Sequence, residues 1–161
     1  MKRLLKIIGS LCFIYVFYIV NNEWLVITSY DYTSDRVPAS FDGYKIVQLS
    51  DLHDAELGEN HRKLIGKVKS TDPDIIFVTG DVIDSRRYDI EKSLRAIAQL
   101  VEIAPVYYVL GNHEVATNEM NHIYEQLELL GVHTLKNEYE LIKLNGEEVA
   151  LVGVEDPLMG M

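Results

Sequence analysis

The sequence predicts an α/β fold built on a parallel sheet and preceded by one transmembrane helix. Three observations carry that expectation. Ile75-Ile76-Phe77-Val78 is an unbroken apolar run, opened by Pro73 and closed by Gly80, as in a strand buried on both faces. Two similar runs flank it in sequence, Lys45-Ile46-Val47-Gln48-Leu49-Ser50 and Val106-Tyr107-Tyr108-Val109-Leu110. Between the runs, residues 60–69 and 90–103 place apolar side chains at helical spacing (Leu64, Ile65, Val68; Leu94, Ile97, Ala98, Val101), as crossover helices between parallel strands do.

The chain begins Met1-Lys2-Arg3-Leu4-Leu5-Lys6 and continues into an apolar run to Val20, interrupted only by Gly9 and Ser10. The bulky exit Tyr18-Ile19-Val20-Asn21-Asn22 offers no small-residue cleavage site, so residues 1–22 read as an uncleaved membrane anchor. Lys2, Arg3 and Lys6 precede the run, whereas Glu23, Asp31 and Asp35 follow it. That asymmetry places the N-terminus in the cytoplasm and the rest of a single-pass protein outside. Residues 23–161 form the one remaining domain. Trp24-Leu25-Val26-Ile27-Thr28-Ser29-Tyr30 has strand composition, with Trp24 able to rest at the membrane interface. A loop with Pro38 and the Asp42-Gly43 turn then leads into the strand before Asp51. Residues 117–130 form a third helix, stopped by Gly131. Residues 138–144 and 147–153 form a hairpin about Asn145-Gly146. Residues 156–161 form a terminal loop.

Composition narrows the chemistry. Of 161 residues, 48% are hydrophobic and 25% charged, which suits a single folded core. Formal net charge is -10, and no Lys or Arg run occurs beyond the first six residues, so a nucleic-acid partner is not expected and a cation ligand is. Cys12 is the only cysteine, which excludes a disulfide framework and a thiolate zinc site.

Each of the three strand-like runs ends in residues that carry chemistry. The first leads into Asp51-Leu52-His53, the second into Gly80-Asp81-Val82-Ile83-Asp84, and the third into Gly111-Asn112-His113-Glu114. In open α/β sheets ligands bind beyond the carboxyl ends of the strands, so these groups converge on one edge. Carboxylate, amide and imidazole donors together suit Mn, Fe or Zn better than Mg or Ca, which favour oxygen alone. For any single motif the competing reading is ordinary: Asp51, Asp54 or Asp84 would serve as a helix cap, and Gly80 and Gly111 would permit tight turns. His61, His122 and His133 lack partners at ligand spacing and read as surface or half-buried residues, and Tyr107 and Tyr108 as core.

The three motifs in this order, each separated by one crossover, resemble the signature of the calcineurin-like metallophosphoesterases. Phe41-Asp42-Gly43-Tyr44-Lys45-Ile46-Val47, with the N-terminal anchor, is similar to the membrane-associated branch. The resemblance implies a two-sheet αββα sandwich, of which this chain is the N-terminal half, and two divalent metals that clamp a phosphoester for in-line attack. It implies that Asp81 bridges the metals, that Asp51 and His53 hold the first and that Asn112 holds the second. It also implies that His113 acts on the phosphate and leaving group as the catalytic residue without binding metal. Asp84 and Glu114 then lie behind the ligands, Glu114 pairing with His113.

The family completes its metals with later histidines, two of them in Gly-His-x-His; no histidine follows His133 here. The sequence therefore reads as a domain incomplete at its C-terminus, with the second metal site unfinished. The leading function is hydrolysis of a phosphomonoester, phosphodiester or pyrophosphate, with a lipid-linked substrate admitted by the anchor. The alternative is a non-catalytic module that binds metal or phosphate. A nucleotide-binding domain is disfavoured by the absence of Gly-x-Gly-x-x-Gly and Gly-x-x-x-x-Gly-Lys-Ser/Thr.

Overall fold

A computed structural model describes residues 2–22 and 25–157 of the chain. Four parallel strands stand in sequential order: β1 (Ile46–Leu49), β2 (Ile75–Val78), β3 (Val106–Tyr108) and β4 (His133–Thr134). Gln48 pairs with Phe77, and Phe77 with Tyr107, so the strands end side by side.

Alternation along the strands divides the core in two. Ile76, Val78, Val106 and Tyr108 face a layer of helices: α2 (Arg62–Thr71), α3 (Ile90–Val101) and α5 (Met120–Leu129). Leu64, Ile65, Val68, Ile97, Leu100, Ile123 and Leu127 supply that layer's buried side chains. Ile75, Phe77 and Tyr107 face the opposite way, onto Leu135, Ile142 and Leu151. The last two belong to the antiparallel hairpin β5 (Tyr139–Leu144) and β6 (Glu147–Val152), turned by Asn145 and Gly146 at φ 50° and 86°. Helices, parallel sheet and hairpin thus form three successive layers.

Several expectations need correction. Residues 25–30 are not a strand: Leu25 packs on the core, but Val26, Ile27 and Tyr30 are exposed and no strand pairs with them. Strand composition without a neighbour leaves the backbone donors and acceptors to water. Trp24 and residues 158–161 lie outside the described residues. The third helix starts later than expected, as α5 from Met120, because Asn118 takes φ 59°, and a separate short helix α4 (Asn112–Ala116), not expected, precedes it. His61 is not a surface residue. It is 2% exposed, in a left-handed turn before α2, with Nε2 at 3.1 Å from the Lys92 carbonyl of α3.

The N-terminal run forms α1 (Lys2–Asn22) as expected, but among the described residues no helix is long and apolar enough to cross a membrane. Lys2, Arg3 and Lys6 occupy its first turns. The apolar stretch that remains, residues 7–20, rises only about 21 Å at 1.5 Å per residue, against roughly 30 Å of hydrocarbon. The single-pass topology and its orientation rested on a spanning helix and lose that support.

Candidate metal centre

The loops beyond β1 and β2 are fastened to each other through their main chains. The Asp51, His53 and Asp54 N–H groups donate to the carbonyls of Gly80, Asp81 and Val82, at 3.2, 3.0 and 2.8 Å. Asp51, His53, Asp54 and Asp81 all take left-handed φ, between 46° and 56°. Such a conformation costs about 1 kcal/mol or more in most residues and is tolerated best by Asp, Asn and His, so the strain collects where the chemistry is. Gly80, at φ 88°, lies against the Gly111 backbone so closely that a methyl group there would overlap it. A methyl on Gly111 would overlap the Asp81 carboxylate.

This packing brings His53, Asp81 and His113 together, with one ligand atom from each within 4.8 Å of the others. The two imidazoles meet edge to face at 4.4 Å between centroids. Asp51 adjoins the group, its Oδ1 at 3.8 Å from His53 Nε2. Asn112 opens α4 and is exposed beside Gly111. Buried His53 Nδ1 has no hydrogen-bond partner, a state that a bound cation or ligand would relieve. Orphaned imidazole nitrogen, clustered donors and mixed oxygen-nitrogen chemistry all fit a transition metal.

Around this group the loops are held by buried carboxylates. Glu114 is fully buried and accepts from the N–H groups of Asp81, Val82, Ile83 and Gly111 and from the Tyr108 hydroxyl, at 2.8 to 3.1 Å. It therefore does not pair with His113. Burial, and then the neighbouring Glu114 carboxylate, push the Tyr108 hydroxyl well above its ordinary pKa, so it remains a donor. Asp54 accepts from the Asp84 N–H at 2.9 Å and the Ser93 hydroxyl at 2.7 Å. Asp89, rather than Asp51, Asp54 or Asp84, caps α3 by accepting from the Lys92 N–H. The Arg86 main-chain N–H, and then the Arg87 side chain, hold the Asp84 carboxyl below the usual carboxylate range.

His113 is oriented from both sides. Its main-chain N–H donates to Asp81 Oδ1 at 2.8 Å, and its Nδ1 accepts the Ser85 N–H at 3.2 Å. Asp84 Oδ1 lies 3.7 Å from the same nitrogen. The other chemistry-bearing residues have separate duties. His133 Nδ1 meets Glu140 at 3.0 Å and stacks on Tyr107, which is core as expected, and Glu155 accepts from Tyr124 and Asn137.

The sequence profile of calcineurin-like phosphoesterases matches residues 44–155. The chain belongs to that family. Among curated metallophosphoesterase relatives, a bovine "transmembrane protein with metallophosphoesterase domain" is 29% identical over 138 residues, covering 81% of this chain and 31% of that protein. The metallophosphoesterase YkuE of Bacillus subtilis is 28% identical over 141 residues, covering 83% and 48%. The chain thus spans between about a third and a half of these relatives' length. Phosphopantetheinyl hydrolase from Mycobacterium tuberculosis has the same fold over 67% of this chain and 41% of its own, at a TM-score of 0.50 and 20% identity. The metallophosphoesterase fold thus accounts for the layer order seen here.

Proposed function

We propose that this chain carries the metal-binding part of a metal-dependent phosphoester hydrolase with a dinuclear centre. Phosphomonoesters, phosphodiesters and pyrophosphates, lipid-linked ones included, fall within the proposed substrate class. The convergence of His53, Asp81 and His113 within 4.8 Å, at the ends of three parallel strands, carries the reading. Asp51, His53, Asp81 and Asn112 would hold two divalent ions drawn from Mn, Fe or Zn, with Asp81 shared. When bound, such ions supply Lewis-acid polarisation and charge neutralisation at a phosphoryl group.

The protein's own groups have distinct tasks in this scheme. Asp81 is held in one orientation by the His113 N–H. Because His113 Nδ1 accepts the Ser85 N–H, neutral His113 keeps its proton on Nε2 and is a donor there to a phosphoryl or leaving-group oxygen. Asp84 and Ser85 fix the ring, and Asp54 fixes Asp84.

Elemental analysis after Mn2+ loading, together with hydrolysis of an aryl phosphodiester, tests the assignment. Asp81→Ala should lose bound metal. His113→Ala should retain metal and lose turnover. Equal metal loss in the two variants would make His113 a ligand, and no retention of Mn2+ by the parent chain would refute the metal centre. Metal retention without turnover in the parent chain would instead favour the second reading, a binding module.

A membrane partner is also proposed, as surface association through α1. Leu5, Leu11, Phe13, Phe17 and Tyr18 on this helix are each about 60% exposed or more, beside basic Lys2, Arg3 and Lys6. Bovine and zebrafish relatives are named as transmembrane proteins.

A further inference from the structure

We propose that Glu114 is a positioning residue for the metal pair, holding the main chain of Asp81 and that of Gly111, next to Asn112, at a fixed separation. This inference rests on reading the site as a metal centre and adds a residue outside the ligand set. Its two oxygens divide the work. Oε2 accepts from the Asp81 N–H at 2.8 Å and the Gly111 N–H at 2.9 Å, so one atom joins the loops that carry the shared ligand and the second-metal ligand. Oε1 accepts from the Val82 and Ile83 N–H groups at 2.8 and 3.1 Å and from the Tyr108 hydroxyl at 3.0 Å. Four peptide N–H donors and one tyrosine hydroxyl face a group that is 0% exposed, so an amide replacing it aims its NH2 at two peptide donors whichever way it turns.

Glu114→Gln keeps the shape and removes that capacity on one side. Turning NH2 toward the Oε1 side confronts the Val82 and Ile83 N–H groups, while the Tyr108 hydroxyl can rotate to accept; turning it toward the Oε2 side confronts the Asp81 and Gly111 N–H groups. Either arrangement leaves two main-chain donors without an acceptor, at least one of them in the loop that carries Asp81. Tyr108→Phe is the matched control: it deletes one donor on the far oxygen and leaves the Asp81 and Gly111 contacts in place.

The test is calorimetric titration of the intact chain and its variants with Mn2+ alone, alongside thermal unfolding of the metal-free proteins. Glu114→Gln is expected to weaken Mn2+ binding ~10-fold or more, the usual scale for loss of a group behind metal ligands. Tyr108→Phe should lower the unfolding midpoint while changing affinity less than about threefold. A purely architectural role predicts the opposite, affinity losses that track unfolding midpoints across both variants, and that result would overturn the proposal. Glu114→Asp, which keeps five-donor capacity but is one methylene too short to reach both loops, replaces Glu114→Gln if the latter does not fold. Parent-like Mn2+ affinity in it would also overturn the proposal. Failure of the parent chain to bind Mn2+ would instead defeat the metal centre itself.

Discussion

Replacing Asp54 by Ala and, separately, by Asn should separate hydrogen bonding from charge in the support beneath the Asp81–Asp84 loop. Asp54 is 8% exposed and accepts from the Asp84 N–H and the Ser93 hydroxyl. Alanine leaves the buried Asp84 N–H without an acceptor, a loss of about 1–3 kcal/mol. Ser93 is spared, because its hydroxyl also reaches the Val82 carbonyl at 3.0 Å. Position 54 also takes φ 55°, which alanine adopts at a cost of roughly 1 kcal/mol more than Asp. The total is about 2–4 kcal/mol. Asparagine tolerates that φ, keeps an oxygen for Asp84, and presents its NH2 to the Ser93 oxygen, which accepts it while donating to Val82. Its loss should stay under about 1 kcal/mol. Urea denaturation at constant m-value measures both. Equal destabilisation by the two substitutions would refute the hydrogen-bond account and make the charge of Asp54 the stabilising quantity.

Acidification should weaken the fold through His61. Burial lowers its pKa, outweighing the carbonyl of Lys92 and nearby Glu56, while Arg95 and Lys92 push the same way as burial. The folded state therefore binds fewer protons than the unfolded state below pH 6.5, the ordinary histidine value, and stability is lost as pH falls from there through the depressed folded pKa. His61→Gln should flatten the denaturation-midpoint profile between pH 7.5 and 5.5; an unchanged slope would contradict this. Deleting residues 2–22 should abolish sedimentation with anionic vesicles, and retained binding would place the membrane contact elsewhere.

Much of the architecture is legible because apolar runs ending in polar motifs can only be strands leaving a covered sheet. Asn145-Gly146 marks the hairpin for an equally local reason, the positive φ that its turn demands. Residues 25–30 mislead because β composition states a preference, and a strand also needs a neighbour. The clustering of His53, Asp81 and His113 follows from strand-end logic alone. The placements of Glu114 and Asp54 do not, since their partners are peptide groups some thirty residues away, which leave no imprint on side-chain pattern. Beyond the family resemblance, which sets Glu114 behind the ligands but pairs it with His113, the one available sign was its position three residues after Gly111, whose N–H donates to it at the start of α4. His61 escaped for a similar reason: a left-handed turn, unreadable from spacing, turns it inward.

The left-handed backbone at Asp51, His53 and Asp81 limits how this edge of the sheet can change. Two independent filters act on the same positions. One admits side chains that donate electron pairs to a cation; the other admits side chains that sit comfortably at positive φ. Asp, Asn and His pass both, whereas Glu, Gln and Cys pass the first and meet resistance at the second. Substituting Glu for Asp to retune metal preference at these positions would therefore reshape the loop before it altered the coordination. Variation in metal use should enter more easily at Asn112, which opens a helix with ordinary dihedral angles.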